Sequence, residues 1–168
     1  IDHHDLDKKI LADLKRNGVK LVHSTDECTS IHIYNKYKRK FSSYSAFLAA
    51  AAALTDYLET RPIASNLVSR FDRQFLMLEA TALSYMISSS QHDIDFLMKI
   101  VDDLSQEKYP HDIEGGFLRA ERHARKVLSV VKSIEDSIRV GKNLAYVQIN
   151  SELPSSMVVN FVLGASGK

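Results

Sequence analysis

The chain opens with Ile1-Asp2-His3-His4-Asp5-Leu6-Asp7-Lys8-Lys9-Ile10, which sets an acid directly against two imidazoles. This stretch decides the fold. We read Ile1-Asp2-His3-His4 as the end of a strand that runs into a loop and then a helix. In open α/β sheets the carboxyl ends of strands are where ligands bind. Neutral imidazole beside carboxylate oxygen suits Mn²⁺, Mg²⁺ or Zn²⁺. The chain has one cysteine, Cys28, so a zinc site built on paired thiolates within it is excluded. Adjacent histidines do not usually ligate one ion together, which leaves one imidazole for a metal and the other for substrate. The plain alternative is a run of polar residues at a helix start.

The bulk properties frame this reading. A chain of 168 residues is long enough for one domain with a core. Hydrophobic residues make up 45% and charged residues 26%, the ordinary balance of a soluble globular protein. The formal net charge of +1 argues neither for nor against an acidic partner, because only a local patch could. A lone cysteine excludes an internal disulfide and fits a reducing compartment. No signal peptide is read, and the most apolar run, Ala46 to Leu54, is short of the roughly 20 residues that span a bilayer. The expectation is a cytoplasmic, soluble chain with no membrane partner.

Along the chain, helical spacing of Leu6, Ile10, Leu11 and Leu14 predicts a first helix, stopped by Asn17-Gly18. Val19 to His23 reads as a short strand. Ser24-Thr25-Asp26-Glu27 fits a capping box, which predicts a helix from Thr25 to about Lys40 with Ile31, Ile33, Tyr34 and Tyr37 partly buried. Ser45 to about Glu59 is alanine-rich, so a central, closely approached helix is expected there, ended by Arg61-Pro62. Further helices are expected over Arg73 to Ser88, Ile94 to Gln106 and, as a long connecting helix, Ile113 to about Val140. Then the texture changes: a turn at Gly141 to Asn143, a strand over Leu144 to Ile149, and an apolar stretch from Met157 to Leu163. A boundary near 140 follows.

A second signal sits in the alanine-rich stretch, Leu54-Thr55-Asp56, where an acid among apolar residues is costly unless paired or metal-bound. An exposed place on the polar side of the helix is the ordinary alternative. Asp2-His3-His4, Ser24-Thr25-Asp26-Glu27 and Leu54-Thr55-Asp56, in that order and spacing, resemble the DHH phosphoesterases. The continuation, Phe71-Asp72-Arg73-Gln74-Phe75 with Leu78-Glu79-Ala80, looks like the small archaeal RecJ-like members, in which a DHH domain precedes a DHHA1 domain.

The resemblance implies an α/β parent fold of which this chain, mainly α-helical with a few short strands, is a fragment. Residues 1–112 would be the C-terminal part of the DHH domain, 113–140 the connecting helix and 141–168 the truncated start of the DHHA1 domain. It implies a phosphoesterase with two ions, Mn²⁺ (or Mg²⁺), that activate a water and offset phosphoryl charge. Carried over by position, His3 is a metal ligand and Asp56 a metal ligand bridging the ions. His4 faces the scissile phosphate, and Asp2 supports catalysis by orienting an imidazole through its second nitrogen. Ser24, Thr25 and Glu27 match positions with a structural role. The family's first motif, an Asp pair, and the single Asp of its second are missing, as is the Gly-rich, His-containing substrate motif late in DHHA1. They are expected before Ile1 or after Lys168, and residues 1–168 alone are expected to be inactive.

Other clusters carry less. Lys36-Tyr37-Lys38-Arg39-Lys40 could track a phosphate backbone, but also suits a solvated helix C-terminus. His92-Asp93 and His111-Asp112 fit helix starts. Arg70 and Arg73 are candidate phosphate contacts or structural ion-pair partners. Glu114-Gly115-Gly116 lacks the strand and the lysine of a phosphate loop. Three functions compete: a nuclease or oligoribonuclease acting on single-stranded or short nucleic acid, a small-molecule phosphatase or cyclic-dinucleotide phosphodiesterase, and a non-catalytic scaffold binding a replication partner. A homo-oligomer stays open.

Overall fold

Asp7 ends the opening stretch by capping α1 (Lys8–Arg16), its carboxylate accepting from the Lys9 amide at 2.6 Å. The helix closes at Asn17, and Gly18 follows with φ of 75°. The chain then returns to its beginning: the Asp2 amide donates to the Val22 carbonyl at 3.0 Å, and Asp2 and His23 form a parallel bridge. Two parallel segments need a crossover between them, and α1 is that crossover. The strand expected over Val19 to His23 is limited to this bridge. The computed structural model describes residues 1–149, 153 and 155–166, and among these it is mainly helical, with eight α-helices and one two-stranded ribbon.

The capping box does not form. Ser24 donates to Asp26 at 2.7 Å and accepts from the Asp26 amide at 3.2 Å, a local turn, and α2 (Thr29–Tyr37) starts later than expected. Glu27 is 2% exposed and accepts from the amides of Ile63 and Ala64 at 2.6 and 3.2 Å. Those amides open α4 (Pro62–Val68). A buried carboxylate requires donors, and the orphan amides and positive end of a distant helix supply them better than its own backbone. Pro62 therefore starts a helix rather than only ending one, which suits its fixed φ and missing N–H. Of the α2 residues expected to be partly buried, Ile31 is buried and Tyr34 half-buried, whereas Ile33 and Tyr37 are exposed.

The alanine-rich helix, α3 (Ser43–Thr55), is central as expected. Ala46, Ala49, Ala50, Ala51 and Ala53 are buried together with Phe47. Small side chains let α2, α4 and α5 (Arg73–Ser89) pack close to it. Phe47 is ringed by Tyr44, Phe71, Phe75 and Tyr109, and burial of such a side chain is worth about 1.5–3 kcal/mol. Asp72 caps α5 through the Phe75 amide at 2.8 Å, and Asp93 caps α6 (Ile94–Ser105) through that of Phe96 at 3.1 Å.

The long helix expected from Ile113 to Val140 is shorter. A 3₁₀ turn at Pro110–Asp112 precedes Gly115, with φ of 76°, and α7 runs Gly116–Glu135. Glu79, 1% exposed, holds that turn by accepting from the His111 amide at 3.1 Å and bonding its ring. A Cβ on Gly116 would lie 2.7 Å from the Met86 sulfur, so this glycine lets α7 approach α5. Beyond α7, β1 (Arg139–Val140) pairs antiparallel with β2 (Ala145–Tyr146) around the expected turn. The expected strand to Ile149 is paired over two residues only. Met157 to Leu163 lies within α8 (Ser155–Ser166). Ile134, Leu153, Val158 and Val162 form a separate apolar cluster, which joins the C-terminal half of α7 to the residues beyond it. Among the described residues no helix is long and apolar enough to cross a membrane.

Candidate metal centre

The parallel bridge fixes the backbone at Asp2, and the three side chains that follow from it gather. Asp2, His3 and His4 each offer one ligand atom, all within 4.8 Å of one another. The donor set is one oxygen and two nitrogens. Two ligands each about 2.0–2.2 Å from an ion stand up to about twice that apart, which is near the spacing of this group. The residues present fit a divalent cation of the Mn²⁺, Mg²⁺ or Zn²⁺ kind.

Each imidazole is held. The Nδ1–H of His4 donates to Asp2 Oδ1 at 2.8 Å. That bond, aided by the amides of His4 and His3, keeps the Asp2 carboxyl below its usual range although partial burial works the other way. His3 Nδ1 lies 2.9 Å from the Thr29 hydroxyl and 3.3 Å from the Thr29 amide. Accepting from that amide puts the His3 proton on Nε2. Donating instead to the hydroxyl oxygen bares Nε2 for a cation, and the same contact serves either tautomer. The rings of His3 and His4 lie 4.3 Å apart. Two further histidines fix the surrounding backbone: His23 Nε2–H donates to the His4 carbonyl at 2.6 Å, and His32 Nε2–H to that of Ser24 at 3.1 Å.

Asp56 is exposed at the C-cap of α3. No group of three ligand-bearing residues includes it among the described residues. Its charge nevertheless reaches the start of α2. Burial first, and then the negative charge of Asp56, push the Cys28 thiol up. Cys28 is the N-cap residue of α2, immediately before Thr29. Beyond Asp56 the chain turns sharply. Tyr57 takes φ of 58°, its amide bonds the Leu54 carbonyl at 3.2 Å, and the Leu58 amide bonds that of Ala53 at 2.9 Å. This closure normally uses glycine, and a tyrosine there costs about 1 kcal/mol or more.

A cavity of about 430 Å³ opens at the C-terminal end of α3. Thr55, Tyr57, Glu59 and Arg73 line it together with apolar side chains of α5, α7 and α8. One buried carboxylate oxygen of Glu59 has no hydrogen-bond partner. Of the other sequence candidates, Arg70 donates to Asn66 at 2.8 Å rather than forming an ion pair, and Arg73 lines the cavity. The basic run after Lys36 is exposed. Asp93 caps α6 and pairs with Arg119, and His111 serves Glu79. Sequence reasoning missed Thr29. Its signal was a hydroxyl opening a helix just after the strand that returns to His3, hidden by the expectation that the helix began at Thr25.

Compared with protein-family models, with curated proteins and with solved structures, the chain matches none.

Proposed function

We propose that Asp2, His3 and His4, with Asp56, form part of the metal centre of a DHH-type phosphoesterase that hydrolyses phosphodiester bonds in single-stranded or short nucleic acid. The observation supporting this reading is the convergence of Asp2, His3 and His4 within 4.8 Å at the end of a parallel bridge. A parallel bridge joined by a crossover helix, α1, supports reading the chain as part of an α/β parent fold.

Thr29 orients His3 as a ligand, and Asp2 orients His4. A pair of bound Mn²⁺ (or Mg²⁺) ions supplies the chemistry of an activated water and of charge compensation on the phosphoryl oxygens. His4, exposed and fixed through Nδ1, offers its other ring edge to a phosphate oxygen. In this reading residues 1–112 belong to the DHH domain, 113–140 connect, and 141–168 begin the DHHA1 domain.

Manganese titration followed by proton NMR tests the proposal. Mn²⁺ should broaden the ring signals of His3 and His4 before those of His92 and His111, weakly in residues 1–168 alone, and His3→Ala should remove the effect. Broadening that ignores His3 and His4 would sink the metal centre. In a longer protein that carries the remaining motifs, metal-dependent cleavage of a short oligonucleotide that persists in both His3→Ala and Asp56→Asn would sink the assignment of the reaction to these residues.

A further inference from the structure

The basic run that follows α2 belongs neither to the Asp2-His3-His4 group nor to the cavity at the end of α3. Residues 29–55 carry Lys36, Lys38, Arg39 and Lys40 and no Asp or Glu, in a chain whose net charge is +1. Lys38, Arg39 and Lys40 form the turn between α2 and α3. Their side chains are exposed, and no hydrogen bond or ion pair among the described residues engages them. Lys36, in the last turn of α2, suits the negative end of that helix. The other three lie past it and lead into α3, whose positive end gains nothing from cations. Asp56 is a helix length away, about 20 Å, at the far end of α3.

Aromatic rings gather at the same turn. The Lys40 amide donates to the Tyr37 carbonyl at 2.8 Å, and the turn brings Phe41 back toward α2. The Phe41 ring stacks 6.4 Å from that of Tyr34 and lies edge-on 6.1 Å from that of Tyr37. The Lys36 ammonium sits 5.5 Å from the centre of the Tyr37 ring. Tyr37 is 40% and Phe41 39% exposed, so aromatic surface stands open beside the cations. A groove of about 210 Å³ continues from Phe41 between Ile33 and Tyr34 of α2 and Leu48 and Ala49 of α3. It is smaller than the roughly 300–1,000 Å³ that encloses a drug-sized ligand, and suits a single flat ring.

We propose that this turn and groove bind single-stranded nucleic acid, with Lys38, Arg39 and Lys40 on the phosphates and Phe41 and Tyr37 as a stacking surface for a base. A single strand has bases free to stack on such rings, whereas a duplex keeps its bases stacked on one another. An anionic bilayer takes a helix with cations along one face. Here α2 carries Lys36 alone, and the other three cations share one turn. The inference shares its ligand class with the metal-centre reading and is carried by different residues. Thr29, which holds His3, and Lys38 stand about 14 Å apart along α2.

The test uses the 168-residue chain in EDTA with a fluorescein-labelled oligothymidylate of about ten nucleotides, followed by anisotropy. Binding should weaken with salt. Lys38→Ala, Arg39→Ala and Lys40→Ala combined should lower the slope of log affinity against log salt by about two. Lys8→Ala, Arg122→Ala and Lys132→Ala combined remove the same charge elsewhere and should leave the slope unchanged. Phe41→Leu keeps an apolar side chain in the turn and should weaken binding about tenfold. Tyr37→Leu, at an exposed position, reads the same effect where Phe41→Leu lowers the melting temperature. His3→Ala should bind as the parent does, so failure of the metal centre and failure of this surface are read separately. No binding at low salt, equal slopes for the parent and the turn variant, or an equal loss in the control variant would overturn the proposal. So would full affinity in both Phe41→Leu and Tyr37→Leu. Binding to phosphatidylserine vesicles without binding to the oligonucleotide would assign the turn to a membrane and overturn it as well.

Discussion

His3 Nδ1 and the Thr29 hydroxyl lie 2.9 Å apart, so the first residue of α2 holds the ring of the third residue of the chain. A partner of this kind fixes the orientation of the ring, and loss of such a partner of a metal ligand typically costs 10–100-fold in affinity. Thr29→Val keeps the shape and removes the hydroxyl. It should weaken Mn²⁺ binding by about that factor, while Thr29→Ser should retain most of it. Calorimetric titration of both variants checks this, and equal affinities would show that His3 is not oriented by Thr29.

Asp56 and Cys28 give a test of geometry that needs no metal. Burial first, and the Asp56 charge after it, push the Cys28 thiol up, so Asp56→Asn should let the thiolate form at somewhat lower pH than in the parent. Thiolate absorbance against pH reports it. An unchanged titration would place Asp56 too far from the start of α2 to share a site with His3.

Glu27 ties α2 to α4. Glu27→Ala leaves the amides of Ile63 and Ala64 without their acceptor and opens a small void, so a loss of about 1–3 kcal/mol is expected. Glu27→Gln, which still accepts, should lose less. Urea denaturation measures both. A loss as large for Gln as for Ala would mean that the charge, not the capping bond, is what matters.

Tyr44 governs behaviour at high pH. Burial pushes its hydroxyl up to about 12 from 10.0, and that hydroxyl donates to the Lys108 carbonyl. Its folded pKa is raised, so its contribution is fully present below pH 10 and is lost as pH rises through about 12. Tyr44→Phe should lower stability at neutral pH and flatten its fall across that window. Chemical denaturation at several alkaline pH values is the measurement, and an unchanged slope would remove Tyr44 as the cause.

The helices over Arg73 to Ser88 and Ile94 to Gln106 were legible to within a residue or two, because Asp72 and Asp93 cap them locally and their apolar spacing repeats along each helix. The central place of α3 was legible from its alanines, since small side chains are what close packing needs. The Asp2-His3-His4 group was legible because three adjacent residues need no long-range contact to meet.

Elsewhere the partner of a side chain lay far away in sequence. Glu27 looked like a local cap and is satisfied by α4 instead. The start of α7 is displaced by Glu79, 32 positions from His111. The His3–Thr29 contact spans 26 positions, and His123 of α7 packs its ring against Tyr85 of α5. Sequence by itself determined the centrally placed α3, the helices α5 and α6 and the adjacent donors, because capping, periodicity and nearest neighbours act over a few residues. Tertiary structure decided which buried polar group each partner satisfies, because desolvation makes a buried charge or N–H take the best donor or acceptor within reach, wherever in the chain it comes from.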